Sequence, residues 1–180
     1  MEIIASVTNV NKTYKTGDTT ITALNSTTLT INAGELILII GPSGSGKTTL
    51  LSMFRCVIYP TEGEVKIKDQ VVSKLNEKEL GKIRLQNIGF VFQGYNLIAP
   101  LTALENVMLP LQLMKIKDKE AKDRATQALE KVGMLDRKNN LPPSGAEMQH
   151  RKVRWRFCAF VIPLPRLRPG GVFTNLHLVI

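Results

Sequence analysis

Nine consecutive residues, Gly41-Pro42-Ser43-Gly44-Ser45-Gly46-Lys47-Thr48-Thr49, have the types and the spacing to hold a polyphosphate. They match G-x-x-x-x-G-K-[ST] in full. A loop that wraps phosphate must turn successive backbone N–H groups inward, and glycines at 41, 44 and 46 permit the torsions and the close approach this needs. Lys47 supplies a point charge for β and γ phosphates, the Thr48 hydroxyl is the natural ligand for Mg²⁺, and Thr49 offers a further phosphate contact. A helix following the loop adds unpaired N–H groups and the positive end of its dipole.

The flanking sequence supplies elements to position that loop. Leu36-Ile37-Leu38-Ile39-Ile40 is a short apolar run bounded by glycine, which predicts a buried strand, and residues 47–54 predict the start of a helix. Upstream, residues 3–10 and 20–31 are rich in Thr, Ile, Val and Leu and predict strands, separated by a turn at 15–18; a second turn falls at 32–35. Tyr14 lies in this region, either as a half-buried strand tyrosine or as a platform for a base. Downstream, Tyr59-Pro60-Thr61-Glu62-Gly63 predicts a turn, residues 64–68 an alternating strand, 73–85 a charged helix and 87–92 a second buried strand ending at Gln93. A glutamine at that point can reach a magnesium ion or an attacking water.

Thr102-Ala103-Leu104-Glu105 has the form of a capping box, so a helix begins there, to end or kink by Pro110. Residues 118–132 read as a helix with Ala121, Ala125, Ala128, Leu129 and Val132 on one face, Glu120 and Arg124 as an i,i+4 pair, and Gly133 at its C-terminal end. After the break at Asn139-Asn140-Leu141-Pro142-Pro143, Ser144-Gly145-Ala146-Glu147 repeats the capping-box form, which predicts an exposed helix N-terminus able to accept an anion.

At 180 residues, 43% hydrophobic and 22% charged, the chain suits one soluble globular domain. No apolar run approaches the roughly 18–20 residues that span a bilayer. The first residues lack a basic segment followed by a long apolar one, so the expected compartment is the cytoplasm. Cys56 and Cys158, and His150 and His177, stand isolated, which suggests neither a disulfide scaffold nor a metal cluster. The net charge of +9 invites a nucleic-acid reading. Its distribution argues otherwise: Arg151, Lys152, Arg154, Arg156, Arg166 and Arg168 crowd the last stretch, where no acid follows Glu147, and the remainder is only mildly basic.

Together these motifs resemble, from about Ile3 to Gln149, the ATP-binding subunit of an ABC transporter. Gly41 to Thr49 looks like the Walker A loop. Val91-Phe92-Gln93, with Tyr95-Asn96-Leu97-Ile98 and Leu101 to Val107, looks like the Q-loop and the start of a helical subdomain, and its wording is closest to the subgroup serving macrolide and lipoprotein exporters. Ser144-Gly145-Ala146-Glu147-Met148-Gln149 looks like the signature motif, and Tyr14 falls where the family stacks an aromatic on adenine. The resemblance implies a P-loop NTPase α/β core, an N-terminal antiparallel β arm and a helical insertion over about 97–149. It implies ATP and Mg²⁺ as ligands, Thr48 and Gln93 at the metal, and Gln93 coupling the site to a transmembrane permease. Ser144 and Gly145 would face the γ-phosphate held by a second copy, ATP lying between the two, on the cytoplasmic face of the inner membrane.

Departures from the family pattern carry their own expectations. Pro143 and Ala146 stand where the family has leucine and glycine, and a methyl at 146 crowds the phosphate approach. Beyond Gln149 the resemblance gives way to an atypical basic tail, residues 150–180; Gly171 and Val172 fall about where the Walker B Asp and Glu belong, and no switch histidine is found. A shift of reading frame after about Gln149 would account for this and would leave the fold incomplete at its C-terminus. A chain without those carboxylates is expected to bind ATP and hydrolyse it poorly. Two competing functions are a P-loop GTPase or small-molecule kinase, disfavoured because no Asn-Lys-x-Asp reads guanine, and a nucleic-acid binder using the Arg-rich tail with Trp155; no nucleic-acid partner is expected.

Overall fold

The computed structural model describes residues 1–91, 96–142 and 176–179. They fall into two compact units, one comprising residues 1–88 and one beginning at Gly89.

In the first unit, β1 (Ile3–Thr16) and β2 (Thr19–Asn32) form a long antiparallel hairpin. Gly17, with φ of 59°, makes the turn between them as the sequence predicts. Both strands outrun their predicted ends because the Thr-rich segment 11–16 and residues 19–22 remain paired as far as Thr16 opposite Thr19. β3 (Glu62–Ile67) joins β1 on its other edge, also antiparallel, and β4 (Gln70–Val71) completes the order β2-β1-β3-β4. This is the expected antiparallel β arm. Its pairing is irregular between Val7 and Val10 on one side and between Thr8 and Asn11 on the other. Asn9 takes φ of 50° there, and Gly63 lies against it with φ of 87°. A Cβ on Gly63 would come within 2.4 Å of the Asn9 carbonyl oxygen, so glycine is required by both torsion and space.

Alternation along the arm places Ala5, Val7, Val10, Leu24, Val65 and Ile67 on a buried face. Helix α1 (Lys47–Phe54) touches β1, β2 and β3 and contributes Leu50, Met53 and Phe54 to the same core. Burial of Met53 and Phe54 is worth about 1.5–3 kcal/mol each, and it fixes the helix that begins at the glycine-rich loop. Helix α2 (Glu77–Asn87) is shorter at its start than the predicted 73–85. Asn76 Oδ1 accepts from Glu79 N at 3.1 Å, and Glu79 Oε2 accepts from Asn76 N at 3.0 Å, a reciprocal cap that sets the first turn four residues past Ser73. Arg84 on α2 pairs with Glu77 and donates to the Cys56 carbonyl at 2.6 Å, fastening α2 to the chain leaving α1.

Residues 36–40 overturn an expectation. They form no strand, and Leu36, Leu38 and Ile40 are 96%, 80% and 83% exposed. A buried strand needs a neighbour on each edge to satisfy its N–H and C=O groups. Among the described residues, the sheet β2-β1-β3-β4 offers this run no rung.

β5 (Ile88–Val91), which enters the second unit at Gly89, pairs with β6 (Leu176–Val179), which enters it at His177. Helix α3 (Ala103–Leu113) opens on the predicted capping box: Thr102 Oγ1 accepts from Glu105 N at 3.2 Å and Glu105 Oε2 accepts from Thr102 N at 2.7 Å. It then runs through Pro110, so of the two outcomes the sequence predicts there, an end or a kink, the end does not occur. Proline removes one bond to the Asn106 carbonyl, but Val107 and Leu111 on either side are buried against Ala121, Ala125 and Leu129, and that packing carries the helix onward. Helix α4 (Asp118–Lys131) matches its prediction, with the Glu120–Arg124 ion pair in place. Its C-terminus closes as a Schellman turn: Gly133, at φ of 64°, donates to Glu130 O at 2.9 Å and Met134 to Leu129 O at 2.8 Å.

Candidate nucleotide site

The loop between Ile40 and α1 owes its shape to its glycines. Gly46 caps the helix in the left-handed region, φ 84°, and Gly44 has φ of 81°. A Cβ on Gly46 would meet Ala23 O at 2.8 Å and Leu24 Cδ1 at 2.9 Å, so the loop lies directly on β2. One at Gly41 would meet only the movable Ser45 Oγ, also at 2.8 Å. Ser45 N donates to Pro42 O at 3.3 Å and tightens the turn, while Pro42, Ser43, Gly44 and Ser45 remain exposed.

Lys47 folds back over this turn. Its Nζ lies 2.8 Å from Gly41 O, 2.6 Å from Pro42 O and 3.3 Å from Ser45 Oγ, which occupies all three ammonium donors. The charge therefore sits inside the loop, held by neutral dipoles that an anion would be able to replace. Helix α1 reinforces the attraction, because it has no side-chain cap and no acidic residue in its first turn. Thr48 is exposed and Thr49 half-buried at the same helix end. A left-handed glycine cradle, an internal ammonium and a bare helix N-terminus fit a polyphosphate, and the exposed Thr48 hydroxyl fits a hard cation beside it.

Tyr14 stands on β1 opposite Ile21, 45% exposed. Leu24, the residue Gly46 touches, pairs with Lys12 on the same hairpin, so Tyr14 lies two residues along β1 from the rung that meets the loop. Lys12, which the sequence reading passes over, holds its Nζ over the Tyr14 ring at 5.0 Å from the centroid. The signal was a Lys-x-Tyr alternation within a strand, which puts both side chains on one face. Gln93, Ser144 and Gly145 lie outside the described residues, as do Pro143, Ala146, Cys158 and His150. Cys56 is buried, and its thiol is pushed up to about 11, chiefly by burial, with Arg84 pulling it down and Glu77 up; it is a packing residue.

A lysine-bearing glycine loop, capped in the left-handed region and leading into a helix packed on a sheet, defines a P-loop nucleotide-binding protein. The ABC transporter family profile matches residues 24–153, well over half of the sequence, and the chain belongs to that family. It is 43% identical over 148 residues to the uncharacterized ABC transporter ATP-binding protein YvrO of Bacillus subtilis, covering 82% of this chain and 65% of that one. It is 46% identical over 127 residues to the lipoprotein-releasing system ATP-binding protein LolD of Bacteroides thetaiotaomicron, covering 69% and 58%. Among solved structures, the dimeric ATP-binding cassette MJ0796 of Methanocaldococcus jannaschii, bound to ADP and Pi in a post-hydrolysis state, superposes with a TM-score of 0.74 at 40% identity, over 88% of this chain and 69% of that one. The fold is thus that of an ABC ATPase, and the chain spans 65% of the length of the first curated relatives it matches.

Proposed function

We propose that the chain is the ATP-binding subunit of an ABC transporter, taking up ATP with Mg²⁺ to drive export through a separate transmembrane permease. The observation that carries this reading is the Lys47 ammonium held within a left-handed glycine loop at the bare N-terminus of α1. Bound ATP would supply the free energy of its phosphoanhydride bond. Gly41 to Gly46 would cradle it with the backbone N–H groups of every residue but Pro42, Lys47 would neutralise its phosphates with Thr49 as a further contact, Thr48 would hold Mg²⁺, and Tyr14 would offer its ring to the adenine. Gln93 belongs at the metal and the attacking water, and Ser144 and Gly145 at the nucleotide of a second copy. The MJ0796 cassette is a dimer, which supports assembly of two copies.

Residues 1–149 constitute the nucleotide-binding domain in this reading, with its helical part from about 97 and a basic tail over 150–180. The setting is the cytoplasmic face of the inner membrane. The lipoprotein-releasing relative is in keeping with the lipoprotein-exporter side of the resemblance. Gly171 and Val172 fall about where the Asp that would hold Mg²⁺ through water and the Glu that would polarise the attacking water belong, so this 180-residue chain turns ATP over slowly, by at least ~10²-fold against a cassette that has them. Titration with ATP in magnesium, followed by a phosphate-release assay on the same sample, tests both parts. Tight binding with turnover near background is the expected result; brisk release of phosphate overturns the catalytic part, and failure to bind overturns the whole.

A further inference from the structure

We propose that Lys12 is a positioning residue for the nucleobase: its ammonium holds one face of the Tyr14 ring, leaving the other as the platform on which a purine stacks. This rests on the reading of the loop as a nucleotide site. Lys12 and Tyr14 are two apart on β1, and their side chains meet although the pairing shifts register between Lys12 and Thr13. The Nζ lies 5.0 Å from the ring centroid, inside the ~6 Å reach of a cation–π contact. Among the described residues Lys12 forms no ion pair, so the ring is the partner that orders it. Tyr14 keeps nearly half its surface in solvent, and its rung partner Ile21 is 54% exposed, so a flat ligand has open access to the pair. Gly46 touches Leu24, the rung partner of Lys12, which places this platform beside the phosphate loop within one unit of the fold. A cation on one face restricts rotation of the ring and leaves a base a single face to use.

Calorimetric titrations of ATP and of inorganic tripolyphosphate, both with magnesium, would compare the unchanged chain with Lys12→Met, Lys12→Arg, Tyr14→Ala and the Lys12→Met, Tyr14→Ala double variant. Lys12→Met should weaken ATP about two- to fivefold, the scale of an exposed cation–π contact, and leave tripolyphosphate unchanged. Lys12→Arg should retain ATP affinity, and Lys12→Met should cost nothing further once Tyr14 is alanine. Equal losses for both ligands would make Lys12 a phosphate contact and overturn the proposal, as would a Lys12→Met loss that persists without Tyr14. ATP binding indifferent to Lys12→Met overturns this inference alone. No ATP binding by the unchanged chain overturns the proposed function and this inference with it.

Discussion

At the scale of single residues, the site depends on torsion more than on side-chain chemistry. Gly46 sits at φ 84° with the Ala23 carbonyl where a Cβ would go, and backbone cannot step aside as a side chain can. Gly46→Ala should therefore cost about 1–3 kcal/mol of stability, read as a lowered urea midpoint at unchanged slope, and should lower ATP affinity as well. Gly41→Ala meets only the Ser45 hydroxyl and should be milder in the same assay. The left-handed torsions of Gly44 and Gly46 were legible because such a loop is written in local residue types, whereas Gly41 takes no such torsion. Lys12 over Tyr14 was written only as a Lys-x-Tyr spacing, which becomes a contact through strand pairing and side-chain reach rather than through a motif.

At the scale of elements, locally determined features were legible and those requiring a distant partner were not. Thr102 and Glu105 cap α3 as their spacing implies, and Gly133 closes α4. Hydrogen bonds from the Thr102 backbone and, secondly, its side chain hold the Glu105 carboxyl below its ordinary 4.5. A depressed folded value means that this cap contributes stability above about pH 4.5 and loses it as pH falls through the folded value. Glu105→Ala should accordingly be less stable than the parent near about pH 7, with the gap closing in acid; a gap independent of pH would contradict this. The run at 36–40 shows the opposite case. Its composition calls for a buried strand, but burial is granted by neighbours rather than by composition, and Leu38 is 80% exposed. Leu38→Lys should shift stability by less than ~0.5 kcal/mol, whereas a buried leucine lost from a core costs about 2–5 kcal/mol; thermal melts distinguish the two.

At the scale of the whole molecule, the antiparallel arm and the ABC-type fold were legible because hairpin turns, caps and the phosphate loop recur in a fixed order along the chain. Pro110 does not end α3 because a helix end is a tertiary outcome: the buried stripe Val107–Leu111 outweighs one missing hydrogen bond. The net charge of +9 misleads in a different way, since its excess is concentrated in the last thirty or so residues and does not describe the nucleotide-binding face. In the proposed function, ATP binding depends on Lys47 more than on any other side chain. The most direct test is a calorimetric titration of the 180-residue chain with MgATP, set beside MgGTP and the Lys47→Ala variant. Removing a charge-assisted contact should weaken ATP by about ten- to a hundredfold while the far-ultraviolet dichroism stays the same, with ATP preferred to GTP. Equal ATP affinity with and without Lys47, or a preference for GTP, would contradict the account.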